Sequence, residues 1–235
     1  MKNFELQVEN HMNNRCLEHL MLKEKILKRP LTFNYRLEHT RTAVAFADSL
    51  AQELGVDPAL AKIATWLHDI AKCWDPSLSP EENRLRGKNH AQVGGDEAAN
   101  YLRSIGFPPE LSFQVQQAIA THAGLTKDYI IREPLSAIVW DADKLSKVSG
   151  AGVLHYLGEI LSAGNERIDL ASFLADEGRK ELQELHLGIR DSFNTETARL
   201  RADGEMAAAA KLRGQMLAAI LGRKHGDGSS ASLEP

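Results

Sequence analysis

Trp66-Leu67-His68-Asp69-Ile70-Ala71-Lys72 is the stretch on which the reading of this chain turns. An imidazole and a carboxylate stand side by side in a run otherwise built for burial, with Ile63, Ala64, Trp66, Leu67, Ile70 and Ala71 around them. A buried charge costs free energy unless it is paired or bound to a metal. On a continuous helix neighbouring residues point about 100° apart, so His68 and Asp69 cannot satisfy one another directly. Each needs partners from elsewhere in the chain.

Outward from that segment, apolar residues recur at helical spacing almost throughout, and alternating strand patterns are absent. The pattern predicts an all-α bundle. A first amphipathic helix is expected over 4–28, stopped by Arg29-Pro30, and a second over 35–54, with Gly55 at the C-terminal stop. Asp57 caps a third, with Pro58 at its first position, and this helix carries the His-Asp pair to Lys72. The polar stretch 73–88 holds Asp75-Pro76-Ser77, Ser79-Pro80 and Gly87, and reads as a loop with one helical turn. Helices are expected at 90–104, 109–121 and 134–147, then a break at Gly150 and Gly152. Two or three more, the last rich in alanine, fill 153–222. The organisation expected is an N-terminal helix (1–30) packing on a core domain (31–152), a C-terminal helical extension (153–224) and a disordered polar tail (225–235).

The chain has 235 residues, 43% of them hydrophobic, and a net charge of −4. That length supports one sizeable core. The acidic balance argues against a generic nucleic-acid surface and against an anionic membrane. No stretch approaches the roughly 20 apolar residues of a membrane span, and the first residues carry Glu5, Glu9, His11 and Arg15 rather than an apolar signal core. Cys16 and Cys73, far apart in sequence, read as reduced thiols rather than a disulfide framework. A soluble cytoplasmic protein is the expectation.

Four further residues can complete a site around His68 and Asp69. His39 lies early in the second helix, His90 opens a helix after the polar loop, His122 closes one, and Asp143 sits in Trp140-Asp141-Ala142-Asp143-Lys144-Leu145. Along the chain they run His, His-Asp, His, His, Asp, each group from a different helix or helix end. Imidazole and carboxylate together suit Mn, Fe, Ni, Zn or Mg, and helical bundles build such sites from facing helices. Taken singly, each histidine reads more readily as a hydrogen-bonded core or surface residue than as a ligand. Asp141 reads as an acceptor behind a ligand histidine or as a solvated charge. Lys72, three residues after Asp69, shares its helix face and is placed to meet a phosphate as a point charge. A solvated lysine complementing the helix dipole is the competing reading.

In order, Glu38-His39-Thr40, Leu67-His68-Asp69-Ile70-Ala71-Lys72, Asn89-His90-Ala91, Thr121-His122-Ala123-Gly124 and Asp141-Ala142-Asp143-Lys144-Leu145 span about residues 35–150. This series resembles the HD superfamily of metal-dependent phosphohydrolases. Phe193-Asn194-Thr195-Glu196-Thr197-Ala198 looks like the C-terminal segment of uncharacterised bacterial and archaeal HD hydrolases. The Leu-His-Asp-Ile-Ala-Lys stretch with His90 and His122 is similar instead to HD-type diadenosine tetraphosphate hydrolases. The resemblance implies an HD-domain bundle with additional C-terminal helices. It implies His39, His68, Asp69 and Asp143 as ligands of one metal ion, with His90 and His122 matching the extra histidines of two-metal members, in which the HD aspartate bridges the ions. One or two divalent ions (Mn, Fe, Ni, Co, Mg or Zn) are the cofactor expected. Asp69 and Lys72 are the catalytic candidates. Lys72, Arg36, Lys88 and Lys144 are the candidate substrate contacts, with surface charge the favoured reading for Arg36 and Lys144; Lys88-Asn89 lies on a loop placed to act as a lid. The implied activity is hydrolysis of a phosphoester or phosphoanhydride bond in a nucleotide or similar small phosphorylated metabolite, through a metal-activated water. The family also contains di-iron oxygenases and non-catalytic signalling modules, which are the alternatives.

Overall fold

Helix ends in this chain are set by short-range chemistry. The computed structural model describes residues 1–162, 170–175 and 180–226. Helix α1 (Lys2–Leu27) ends at Lys28, whose φ of 55° puts it in the left-handed region. Helix α2 (Tyr35–Leu54) starts where the Asn34 side chain accepts from the Leu37 amide, and stops at Gly55 with φ 69°. Helix α3 (Pro58–Leu67) is capped by Asp57, which accepts from the amides of Ala59 and Leu60. A 3₁₀ turn (Ile70–Lys72) follows it. Then come α4 (Pro80–Lys88), α5 (His90–Ser104), α6 (Pro109–Ala120), α7 (Pro134–Val148), α8 (Gly150–Ser162), α9 (Leu170–Ala175), α10 (Lys180–Asp191) and α11 (Glu196–Gly226). Among the described residues there is no strand, and the fold is all-α.

Helix α7 is the axis of the bundle. Its residues from Leu135 to Ser146 are all buried, and it packs against α2, α3, α6, α8 and α11. Helix α3 lies alongside it, with Leu60, Ile63, Ala64, Trp66 and Leu67 buried. Helix α1 covers α3 through Val8, Met12 and Cys16. Helices α5 and α6 meet closely because Gly95 lacks a side chain: a Cβ there would stand 2.9 Å from the Gln116 carbonyl oxygen. That pairing fixes His90 at the start of α5 relative to His122 just past the end of α6.

The chain departs from the sequence expectations in four places. The third helix does not run to Lys72; it stops at Leu67, and His68 and Asp69 occupy a turn before the 3₁₀ segment. Residues 80–88 are a full helix, because Ser79 and Glu82 form a reciprocal capping box with Pro80 at the first position. Gly150 and Gly152 begin α8 rather than breaking the chain, and the interruption is confined to Ser149 (φ −76°, ψ 167°). Helix α11 enters the expected tail as far as Gly226, and 227–235 lie outside the described residues. The two cysteines, 57 positions apart, are buried with their sulfurs 3.8 Å from each other.

Asp141 fastens the C-terminal helices to this core. Its carboxylate, fully buried on α7, accepts from the backbone amide and side-chain amide of Asn194 (2.8 and 2.9 Å) and from the amide and hydroxyl of Thr195 (3.0 and 2.8 Å). Neither alternative for this residue holds: it is not solvated, and its partners lie on the α10–α11 link rather than on a histidine. Replacing Asp141 by Ala strands four donors, and is expected to lower stability by about 2–4 kcal/mol in urea unfolding. An unchanged midpoint would contradict this role.

Candidate metal centre

The helix break at Leu67 shapes the centre. The His68 amide bonds back three residues to the Thr65 carbonyl, tightening the last turn, and Asp69 takes a non-helical φ of −108°. Carbonyls left open at the end of the 3₁₀ turn are taken by one side chain: Arg86, on α4, donates to those of Ala71 (3.0 Å), Ile70 (3.4 Å) and Cys73, and pairs with Glu97. Released from helical geometry, the adjacent His68 and Asp69 converge, with Nε2 and Oδ2 3.6 Å apart.

Asp69 is the hub. Its Oδ2 lies 3.8 Å from His39 Nε2, and its Oδ1 lies 3.4 Å from His122 Nε2 and 4.0 Å from His90 Nε2. Asp143 Oδ1 stands 3.1 Å from His39 Nε2 and 3.6 Å from His68 Nε2. Two donor sets therefore share Asp69: His39 and His68 with it on one side, His90 and His122 on the other.

Which nitrogen of each ring carries the proton follows from its other partner. The Nδ1 atoms of His68, His90 and His122 face the carbonyls of Thr65 (2.6 Å), Gly87 (3.1 Å) and Ile119 (2.5 Å), each three residues earlier. A carbonyl can only accept, so Nδ1–H donates in all three. Ser146 donates its hydroxyl proton to the Asp143 carbonyl (2.7 Å) and so accepts from His39 Nδ1–H (2.9 Å). All four Nε2 atoms thus carry lone pairs aimed at carboxylate oxygens, the orientation seen in metal-ligating histidines. Burial keeps three of these rings neutral: it pushes His39 down to about 3 and His90 to about 4, and lowers His122. His68 Nε2 is buried with no hydrogen-bond partner among the described residues. Lone pairs facing carboxylates at these distances repel unless a cation lies among them, and this donor set of nitrogen and oxygen fits a divalent ion.

The carboxylates are held ionised despite complete burial. Beside Asp69 stand the neighbouring His68, the Arg36 guanidinium and Lys72, whose ammonium is 2.9 Å from Oδ1. Beside Asp143 stand Lys144 and Lys147. Burial alone would raise both acids, but these neighbours together bring them well below the usual carboxylate range.

A model of the HD domain matches residues 36–148, a span that contains all six donors. Those residues form an HD domain. Two solved structures share the fold of this HD protein. A predicted HD superfamily hydrolase from an uncultured Thermotogales bacterium is 20% identical, with 90% of this chain and 92% of that one covered and a TM-score of 0.55. Bacillus subtilis YpgQ, solved in complex with ADP, is 20% identical over 78% of this chain and 88% of its own, with a TM-score of 0.53. Ribonuclease Y from Enterococcus faecalis is 34% identical over 110 residues, which are 47% of this chain and only 18% of that enzyme. The HD protein thus has the fold of HD-superfamily hydrolases.

The sequence-derived set divides cleanly. His39, His68, Asp69, His90, His122 and Asp143 come together, and Arg36 and Lys72 join them through Asp69. Lys144 is turned inward instead, its ammonium 3.1 Å from the His122 carbonyl, beside Asp143 and 4.2 Å above the Trp140 ring. It braces the ligands and is 1% exposed, which removes it from the substrate surface. Lys88 is exposed at the end of α4, two positions from His90. Sequence reasoning missed Ser146, Lys147 and Arg86. Lys147 follows Asp143 by four residues, a spacing that signals a helical ion pair; nothing local signals Arg86, whose partners are three carbonyls and Glu97, eleven residues on.

Two outcomes follow for the HD protein. Replacing Arg86 by Gln frees the turn that aims Asp69, and is expected to lower the affinity for divalent metal about 10–100-fold by calorimetry, as losses behind a ligand shell do; unaltered affinity would contradict the clamp. Unfolded histidines titrate near 6.5, above the depressed folded values of His39 and His90, so the unfolded chain binds more protons below that pH. With EDTA present, the melting temperature should therefore hold above about pH 6.5 and fall steadily toward pH 4; a flat profile from pH 7 to 5 would count against neutral buried rings.

Proposed function

We propose that this protein is a metal-dependent phosphohydrolase that cleaves a phosphoester or phosphoanhydride bond in a nucleotide or a similar small phosphorylated metabolite. The observation that carries the reading is the convergence of four imidazole lone pairs on two buried carboxylates, with His68 Nε2 left unpartnered. His39, His68, Asp69 and Asp143 would hold one divalent ion, and Asp69, His90 and His122 a second, drawn from Mn, Fe, Co, Ni, Zn and Mg. Such ions supply Lewis acidity to a phosphoryl oxygen and acidify water at neutral pH.

The chain's own residues do the rest. Asp69 serves both donor sets, so its position fixes the spacing between them. Lys72 and Arg36, already beside its carboxylate, present N–H donors at the same centre, where phosphoryl oxygens accept readily. Lys144 and Lys147 keep Asp143 ionised and therefore able to bind a cation. Neutral Nε2 atoms leave the imidazoles ready as ligands across the neutral pH range. The solved complex of YpgQ with ADP and the ribonuclease Y match agree with a phosphate ester or anhydride as substrate.

The test is metal analysis of the purified protein, joined to hydrolysis of a nucleotide and dinucleotide panel under Mn, Fe and Co. Replacing His39 or Asp143 by Ala should reduce bound metal and lower turnover by about 10²-fold or more. His155→Ala, whose ring lies 3.5 Å from the Thr42 hydroxyl and away from the six donors, should change neither. Equal metal content in all three variants would overturn the ligand assignment.

A further inference from the structure

Beside the Asp69 centre, a cleft of about 340 Å³ runs out between the end of α1, the start of α2 and the end of α4. Arg36 and Lys72, both in contact with the Asp69 carboxylate, line it, and so does Gly87, whose carbonyl orients His90. The cleft therefore meets the centre on the side of its second donor set. Its remaining wall is of another character. Ile26 and Leu27, the last residues of α1, leave 48% and 46% of their surfaces exposed, and Trp74 stands with them. Trp74 is fixed in place: its backbone amide donates to His19 Nδ1 at 3.1 Å, and the two rings lie 6.5 Å apart. Lys23 is there as well, tied across to Glu159 on α8 at 3.0 Å.

A slot lined both by cationic donors and by an indole with aliphatic side chains matches a ligand with an anionic head and a flat apolar ring. Its volume sits at the low end of the ~300–1,000 Å³ typical of small-molecule sites, enough for one nucleoside and not for two linked ones. We propose that this cleft is the nucleoside subsite of the hydrolase, taking the base of a single nucleotide against Trp74, Ile26 and Leu27 while its phosphate end meets Arg36 and Lys72. The assignment rests on the phosphohydrolase reading and narrows it to mononucleotides, against dinucleoside polyphosphates or RNA. His19, Ile26, Leu27 and Trp74 become specificity-determining residues contributed by α1 and the segment after the 3₁₀ turn.

The experiment compares AMP with ribose 5-phosphate, which has the same phosphate and sugar and no base. Calorimetric titrations of the full chain, stripped of metal with EDTA so that no turnover consumes the ligand, should show AMP bound about tenfold tighter or more. That preference should collapse in Trp74→Ala and return in Trp74→Phe. Leu27→Asp, at a position exposed enough to tolerate a carboxylate, should also weaken AMP by about tenfold. Equal affinities for the two ligands, binding of neither, or a preference that survives both Trp74→Ala and Leu27→Asp would overturn the subsite. Metal-dependent hydrolysis of both esters at similar KM would remove the subsite and leave the phosphohydrolase reading standing; failure to hydrolyse any phosphoester, with the AMP preference intact, would do the reverse.

Discussion

The burial of the Asp69 carboxylate at the point where five helices and a 3₁₀ turn come together is the constraint on which the rest of the structure depends. A lone carboxylate with no exposed surface would neutralise itself by taking up a proton. Here it is kept ionised by Arg36 from α2 and Lys72 from the 3₁₀ turn, and it is ringed by the imidazoles of His39, His68, His90 and His122. Each of these groups needs its own support. The four Nδ1 atoms are anchored to three backbone carbonyls and one serine hydroxyl, so the rings cannot turn away without losing a buried hydrogen bond.

The helix break after Leu67 is what makes the arrangement possible. Had α3 continued to Lys72, His68 and Asp69 would have faced directions about 100° apart and served different surroundings. Ending the helix lets one short segment deliver two ligands to one place. The carbonyls left open past the 3₁₀ turn are satisfied by Arg86, which belongs to α4, and Gly87 of the same helix orients His90. Helix α4 therefore links the His-Asp turn to the second donor set, and the neighbouring cleft, lined by Gly87, Lys72 and Arg36, lies on that same seam.

Much of this was legible in the sequence because its signals are local. Asn34, Gly55, Asp57-Pro58 and Pro134 mark helix ends by capping chemistry, and the structure places α2, α5, α6 and α7 within a residue of the expected limits. The six donors were legible as an ordered series of residue types, each at a helix end or on a half-buried face. What could not be read depends on distance in space. The 3₁₀ turn that follows Leu67 is held by an α4 arginine reaching back fifteen positions to the Ala71 carbonyl. The inward turn of Lys144 depends on Trp140 and the His122 carbonyl, and the role of Asp141 on a link more than fifty residues away. Helix α4 is a different case: Ser79 and Glu82 carried the capping-box spacing, hidden behind prolines that read as turns.

The central claim is that Asp69 is shared by two cation sites built on neutral imidazoles. The most direct measurement is anomalous diffraction at the Mn edge from crystals of the protein grown with Mn²⁺. The account predicts anomalous density bonded to Asp69 and to the Nε2 atoms of His39 and His68, with His90 and His122 on the other side of the same carboxylate holding the second ion. Anomalous density elsewhere in the molecule, with these Nε2 atoms bonded to no metal, would contradict it.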